Sequence, residues 1–197
     1  FFTSGGTESN NLALKGVLFR EPFDSGAHLI ISGIEHPAIL QPAEFLRRQG
    51  YELTVVGCDS RGVVSPEAVQ DALRPTTRLV SIMHANNEIG SVQPIREIAD
   101  LCHAQDVLVH TDAAQSVGKL PVTVSELDVD LLSVAGHKLY APKGVGALYV
   151  KRGIPLEPAL HGAGHEGGVR PGTENVPYIV GLGRAMTLAT KDLNSRR

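Results

Sequence analysis

Short apolar runs recur along the chain, separated by segments whose apolar positions follow a helical spacing. The runs read "HLIISGI" from His28, "YELTVVGC" from Tyr51, "RLVSIMH" from Arg78, "VLVHTD" from Val107, "DLLSVAG" from Asp130 and "GALYVK" from Gly146. They are apolar nearly throughout instead of alternating, which predicts strands covered on both faces. Between them the pattern predicts a helix from about Thr7 to Arg20, another after Pro37, one opened by Ser65 as N-cap with Pro66 at its first position, and one beginning near Pro94. Strands and helices in this alternation predict an α/β fold, a three-layer αβα sandwich around a mostly parallel sheet. The stretch "HGAGHEGGVRPGTEN" from 161 to 175 is too rich in Gly and Pro for an element interior and reads as an exposed functional or interface loop.

The ends of the pattern are abrupt. The chain opens on "FFTSGG", a strand without lead-in, and closes on the helical "VGLGRAMTLATKDLNSRR" without a stop signal. Residues 1–197 are therefore expected to be one large domain of a longer protein. Composition narrows the classes of partner. With 42% apolar and 20% charged residues the chain has the make-up of a globular domain with a real core. A net charge of −3 offers no basic stripe for nucleic acid, and no run approaches the ~18 apolar residues a membrane span requires. Cys58 and Cys102 stand alone, without a CxxC pair, and are expected to be buried fillers in a reducing, cytoplasmic protein.

In an open parallel sheet, ligands collect at the carboxyl ends of the strands, so the residues that follow each run are the candidates for chemistry. After the first run, "TSGGTESNN" supplies glycines and then a helix start, a combination that binds phosphate; the competing reading is a plain N-cap by Thr7 or Ser9. His36, at a strand-to-helix turn, could stack on an aromatic ring and move protons near neutral pH, or be a surface turn residue. Asn87 could donate to a ligand oxygen, although an Asn in a turn needs no such duty. Asp112 follows a buried run with nothing basic nearby in sequence, so its carboxylate calls for a partner, and a ligand cation would answer. Gln115 would sit on the helix expected after that run. Lys138 follows the apolar "LLSVA" run and is expected to be buried; a buried ammonium finds a partner or loses its proton, and a neutral amine suits Schiff-base chemistry with an aldehyde. His161, His165 and Glu166 in "HGAGHE" lack the spacing of a zinc site, and no metal is expected. The other histidines, His28, His84, His103 and His110, read as turn, surface or hydrogen-bonded strand residues.

Each signal is weak by itself. Together, a phosphate-binding helix start, a histidine, a buried Asp and a Lys at one end of a sheet describe a pocket for pyridoxal 5′-phosphate, with Asp112 facing the protonated pyridine nitrogen and Lys138 holding the aldehyde.

Here the sequence resembles the cysteine desulfurases and selenocysteine lyases of the class V aminotransferase superfamily. The likeness rests on "FTSGGTESNN", "EHPAIL", "NNEIG", "HTDAAQSVGKLPV", "AGHKLYAPKGVGALYV" and "RPGTEN", which span essentially the whole chain. It implies that Lys138 carries the cofactor and later takes the substrate Cα proton, that Asp112 pairs with the ring nitrogen, and that Asn87 and Gln115 contact the ring oxygen. It further implies that His36 stacks on the ring and handles protons, and that Gly6, Thr7 and His137 hold the phosphate. Thr173 would reach in from a second subunit, which implies a homodimer. The implied substrate is cysteine or selenocysteine. Its chalcogen would pass to a nucleophilic Cys lying beyond residue 197, as a persulfide in the desulfurase case, and on to a sulfur acceptor or scaffold protein, with alanine released. Two positions depart from the pattern: Ala135 stands where a phosphate-binding Ser is common, and Gly167 where many relatives have Arg. Cysteine desulfurase is the leading expectation, selenocysteine lyase the second, and a non-catalytic assembly subunit the third.

Overall fold

A computed structural model describes residues 1–20, 26–191 and 193. Its strands are β1 (Phe2–Thr3), β2 (His28–Ser32), β3 (Glu52–Val56), β4 (Thr77–Ser81), β5 (Leu108–Asp112), β6 (Leu131–Ala135) and β7 (Gly146–Val150). They form a 7-stranded sheet in the order β1-β7-β6-β5-β4-β2-β3. The pairs from β3 through β6 are parallel, and β7 is antiparallel to both β6 and β1. Reversal of β7 puts its first residue, Gly146, opposite the last residue of β6, Ala135, and opposite Thr3 of β1. The carboxyl ends of β1, β2, β4, β5 and β6 thus share one edge of the sheet.

The helices are α1 (Gly6–Leu18), α2 (Pro37–Arg48), α3 (Pro66–Ala72), α4 (Ile95–His103), the short α5 (Val124–Leu127) and α6 (Val176–Lys191). The expected starts are found: Ser65 caps α3 by accepting the Ala68 N–H at 3.3 Å, and Pro37 and Pro66 sit at first helical positions. Two core layers flank the sheet because successive strand residues point to opposite faces. Leu29, Ile31, Leu79 and Leu131 pack with Leu12 and Leu14 of α1 and Ile39 of α2; Ile30, Val80, Leu132 and Val134 pack with Val69 of α3, Ile98 of α4 and Leu182 of α6. This is the expected three-layer sandwich.

Four expectations change. Strand β3 is an edge strand and not covered on both faces: Glu52 and Val55 are exposed, because nothing pairs beyond it. Cys58, just past that edge, is exposed, whereas Cys102 on the inner face of α4 is buried as expected and its thiol is pushed up to about 12 by burial and then by Asp130. No helix forms at Gln115 directly after β5, where Ala114 to Ser116 make a turn and the short α5 begins only at Val124. And Lys138 is exposed, since the backbone leaves β6 at Gly136 in a single 3-10 turn (Gly136–Leu139) that carries His137 and Lys138 off the buried layer. The last residues of the expected C-terminal helix, 192 and 194–197, lie outside the described residues. Among the described residues no helix is long and apolar enough to cross a membrane.

Candidate active site

The shared strand edge opens into a cavity of about 350 Å³ lined by Gly6, Thr7, His36, Asn87, Asp112, Gln115, His137 and Lys138. Every residue expected to hold the cofactor within one subunit is on this wall. Thr173 is not. It lines a separate depression with Phe2, Gly144 and Arg170, in the exposed loop that follows β7.

The cup at the start of α1 is a consequence of its glycines. Gly5 occupies the N-cap at φ 152°, a backbone region that favours glycine, and gives α1 no side-chain cap. The competing cap by Thr7 or Ser9 is not used: Thr7 is inside the helix, and the Ser9 hydroxyl is taken up by Thr3 Oγ1 at 2.8 Å and the Gly5 and Ala147 carbonyls. A Cβ added to Gly6 would lie 3.1 Å from Cβ of Ala135, so α1 sits close on the end of β6 only because one partner is glycine and the other small. An uncapped helix start leaves N–H groups and the positive end of the helix dipole facing the cavity.

Asp112 is 6% exposed and forms the floor. Its Oδ2 accepts from Asn10 Nδ2 at 2.7 Å, and its Oδ1 from the Ala114 N–H at 2.9 Å. Both donors are neutral, and among the described residues no cation pairs with it. Asn10 was missed from the sequence, although it lies four residues after Gly6 and therefore on the same face of α1. Its Oδ1 is buried and has no partner.

His36 is the N-cap of α2: its Nδ1 accepts the Ala38 N–H at 3.1 Å, which leaves the proton of the neutral ring on Nε2. Of the adjacent asparagines, Asn86 shapes the turn, accepting from Glu88 and Ile89 N–H and donating to Ile34 O, and this frees Asn87 to line the cavity. Gln115, in its turn, accepts from Lys119 Nζ at 2.6 Å through Oε1, so its amide N–H groups are the ones left to donate. The Lys119 ammonium is held below its ordinary value by burial and by the nearby Lys138. At the cup's rim, Arg170 of the Gly-rich loop makes a two-point contact with Glu8, Nε to Oε1 at 2.7 Å and Nη2 to Oε2 at 3.2 Å. Among the described residues no cluster of metal-ligating side chains occurs.

A cup for an anion, a buried carboxylate and an amine lining one cavity fit a ligand with a phosphate, a protonated ring nitrogen and an aldehyde, and an αβα sandwich with this sheet is the architecture of the pyridoxal-phosphate-dependent transferases. The chain belongs to the aminotransferase class-V family, whose model matches residues 1–196, and members of that family use pyridoxal 5′-phosphate. Among curated proteins it is 50% identical over 193 residues to a cysteine desulfurase IscS of Dictyoglomus turgidum, covering 98% of this chain and 49% of that protein. It is 53% identical over 194 residues to the cysteine desulfurase IscS of Histophilus somni, covering 98% and 48%. Among solved structures it superposes on a NifS-like protein with TM-score 0.93 at 42% identity, covering 99% of this chain and 54% of that one, and on SspA in complex with cysteine with TM-score 0.91 at 46%, covering 94% and 54%. The chain spans about half the length of these relatives.

Proposed function

We propose that this chain is the cofactor-binding part of a pyridoxal 5′-phosphate-dependent cysteine desulfurase, converting L-cysteine to L-alanine and delivering sulfur to an acceptor. One observation carries the reading most: Asp112 is buried and, among the described residues, partnered only by neutral donors, on the wall of a cavity that Lys138 also lines. A buried carboxylate without a counter-charge is costly unless a cation completes it, and a protonated pyridine nitrogen is such a cation.

When bound, the cofactor supplies an aldehyde and an electron-withdrawing ring. The residues of this chain do the rest. Gly6, Thr7 and His137 hold the phosphate, with the α1 start taking the contact that Ala135 lacks a hydroxyl to make. Asp112, oriented by Asn10 and the Ala114 N–H, holds the ring nitrogen and keeps its proton there. Gln115 and Asn87 donate to the ring oxygen. His36 covers the ring and, with its proton on Nε2, presents an N–H to the reacting end. Lys138 would hold the aldehyde, and its free amine would be placed to take a proton from the substrate Cα. Thr173, on the exposed loop and outside this cavity, fits a role in a neighbouring subunit's cup, so the working unit is a homodimer. A cytoplasmic location and a sulfur-acceptor or scaffold partner, including one for iron-sulfur assembly, accompany the reading.

The test is chemical. The chain is incubated with pyridoxal 5′-phosphate, reduced with borohydride and mapped by peptide mass. The adduct is expected on Lys138 and absent in Lys138→Ala; a spread over surface lysines refutes the assignment. In the longer protein with an added reducing thiol, which releases persulfide sulfur as sulfide, alanine and sulfide from cysteine support desulfurase activity, whereas turnover of selenocysteine alone makes it a selenocysteine lyase, and neither makes it a scaffold.

A further inference from the structure

Glu35 is 5% exposed and belongs to none of the roles above. It lies at the point where the sheet order reverses: the chain leaves β2 for β3 on one side and later returns through β4 on the other. A crevice opens at such a switch point because the two crossovers leave in opposite directions. The ladder between β2 and β4 reaches only as far as Ile31 opposite Ser81. Beyond it the segment carrying His36 and the segment carrying Asn87 have to be joined by side chains. Glu35 Oε1 makes that join, accepting the Ser32 hydroxyl at 2.5 Å on its own side and the Met83 N–H at 2.7 Å on the other. Asn86 Nδ2, donating to Ile34 O at 3.0 Å, is the second tie. Glu35 Oε2 is buried without a partner.

Resting on the function proposed above, we propose that Glu35 is a positioning residue of the active site: its buried carboxyl, shared between the Ser32 hydroxyl and the Met83 N–H, braces the His36 wall against the Asn87 wall. Three titratable groups adjoin it. Asp112 on β5 repels the ionised form, His36 is its chain neighbour on the β2 side, and Glu88 on the β4 side lines the same adjoining cavity of about 510 Å³. Burial, and with it repulsion from Asp112, outweigh the hydrogen bonds from Ser32 and Met83 and push the carboxyl up to about 8, so that keeping it buried becomes costlier as the pH rises toward that value.

Glu35→Gln and Glu35→Ala separate the brace from the charge. A Gln carbonyl accepts from the same two donors but never ionises. In absorbance titrations of the full chain with pyridoxal 5′-phosphate, Glu35→Gln is expected within about twofold of the wild type at pH 6.5, while at pH 9.5 the wild type binds about fivefold more weakly than Glu35→Gln. The comparison cancels any pH dependence that the two proteins share. Parallel affinities through pH 9.5, or a Glu35→Gln variant already weak at pH 6.5, overturn the proposal. A second readout needs no cofactor. In the ligand-free chain the Met83 amide should exchange with solvent at the same rate in wild type and Glu35→Gln at pH 6.5 and at least about tenfold faster in Glu35→Ala. Equal exchange in Glu35→Ala sinks the brace. If the chain fails to bind cofactor but Met83 behaves as stated, the functional reading fails and the brace stands; should Glu35→Ala not fold, the pH comparison between wild type and Glu35→Gln decides.

Discussion

Replacing His110 by glutamine isolates a pH-dependent part of the fold's stability that the structure makes calculable. His110 is fully buried in β5, with Nδ1 2.8 Å from the Ser81 hydroxyl of β4 and Nε2 2.9 Å from the Ser133 hydroxyl of β6. It thereby links three neighbouring strands beneath the active site. Burial drives its imidazole down from 6.5 to about 3. Because the folded value lies below the unfolded one, the unfolded state alone takes up a proton between those limits. The contribution is complete above pH 6.5 and is lost as the pH falls toward 3. At pH 5 the gap traversed is 6.5 minus 5, or 1.5 pH units, which at about 1.36 kcal/mol per unit amounts to roughly 2 kcal/mol. Glu35 acts in the opposite sense: its folded value is raised to about 8 from 4.5, so its contribution is present at low pH and fades as the pH rises between them. The wild-type profile mixes the two, and the difference between wild type and His110→Gln removes what they share. Urea unfolding of both at pH 7.5 and pH 5.0 is the assay. At pH 7.5 the variant should be less stable by about 1–3 kcal/mol, since one serine hydroxyl loses its buried partner. At pH 5.0 that gap should close by roughly 2 kcal/mol. A gap that stays constant refutes the claim that His110 remains neutral in the fold.

Other perturbations read the site directly. Asn10→Leu removes the 2.7 Å donor to Asp112 and should weaken pyridoxal 5′-phosphate binding about tenfold or more, the scale of a hydrogen bond to a charged group; unchanged affinity in an absorbance titration would show that Asp112 needs no such support. Arg170→Ala strips Glu8 of its counter-charge beside the α1 cup and should lower affinity for pyridoxal 5′-phosphate while sparing unphosphorylated pyridoxal, and adding Glu8→Gln should restore it. Equal losses for both ligands would locate the effect elsewhere. Gly146→Ala places a Cβ 2.7 Å from the Gly5 backbone and from Val134 O, and should cost about 1–3 kcal/mol in urea unfolding through displacement of the α1 start.

What was legible in the sequence was whatever local pattern controls. Continuous β-branched runs gave away the strands, and Ser65-Pro66 gave away a helix start, because strand burial and N-capping are read within a few residues. Position in the sheet is not local. "YELTVV" has the same apolar character as its neighbours, yet β3 falls on the edge, and its exposed Val55 and the exposed Cys58 follow from sheet order alone. The apolar run before Lys138 predicts a buried side chain, but exposure is set by where the backbone turns, and Gly136 turns it out: a Cβ there would meet Val145 O at 2.6 Å. The helix expected at Gln115 is cut short by Gly118, held at φ 75° with no room for a side chain beside Leu139. Asn10 and Glu35 were missed for a different reason. Their partners, Asp112 and Met83, lie 102 and 48 residues away in sequence, so no window along the chain joins them.

The charges around the cavity explain why one acid should remain available to a ligand cation. Two carboxylates lie on the wall, Glu8 and Asp112. Burial works to raise the Glu8 carboxyl, but hydrogen bonds from Arg170 and Ser4 outweigh it and hold it below the ordinary range, ionised and neutralised by the guanidinium. A third, Glu35, sits behind the wall and is kept uncharged at neutral pH by burial and by repulsion from Asp112. The fold therefore pairs one acid and discharges another, leaving Asp112 with only dipoles for company. Were the pocket merely structural, the cheaper solution would be the one already used for Asp130, which is buried but accepts from His103 Nε2 and the Val109 N–H, both at 2.8 Å, with Lys151 Nζ 3.7 Å from its other oxygen. An acid left without such a cation, at the one sheet edge where a lysine and a helix start also converge, is in the arrangement that a cationic, phosphate-bearing ring would complete.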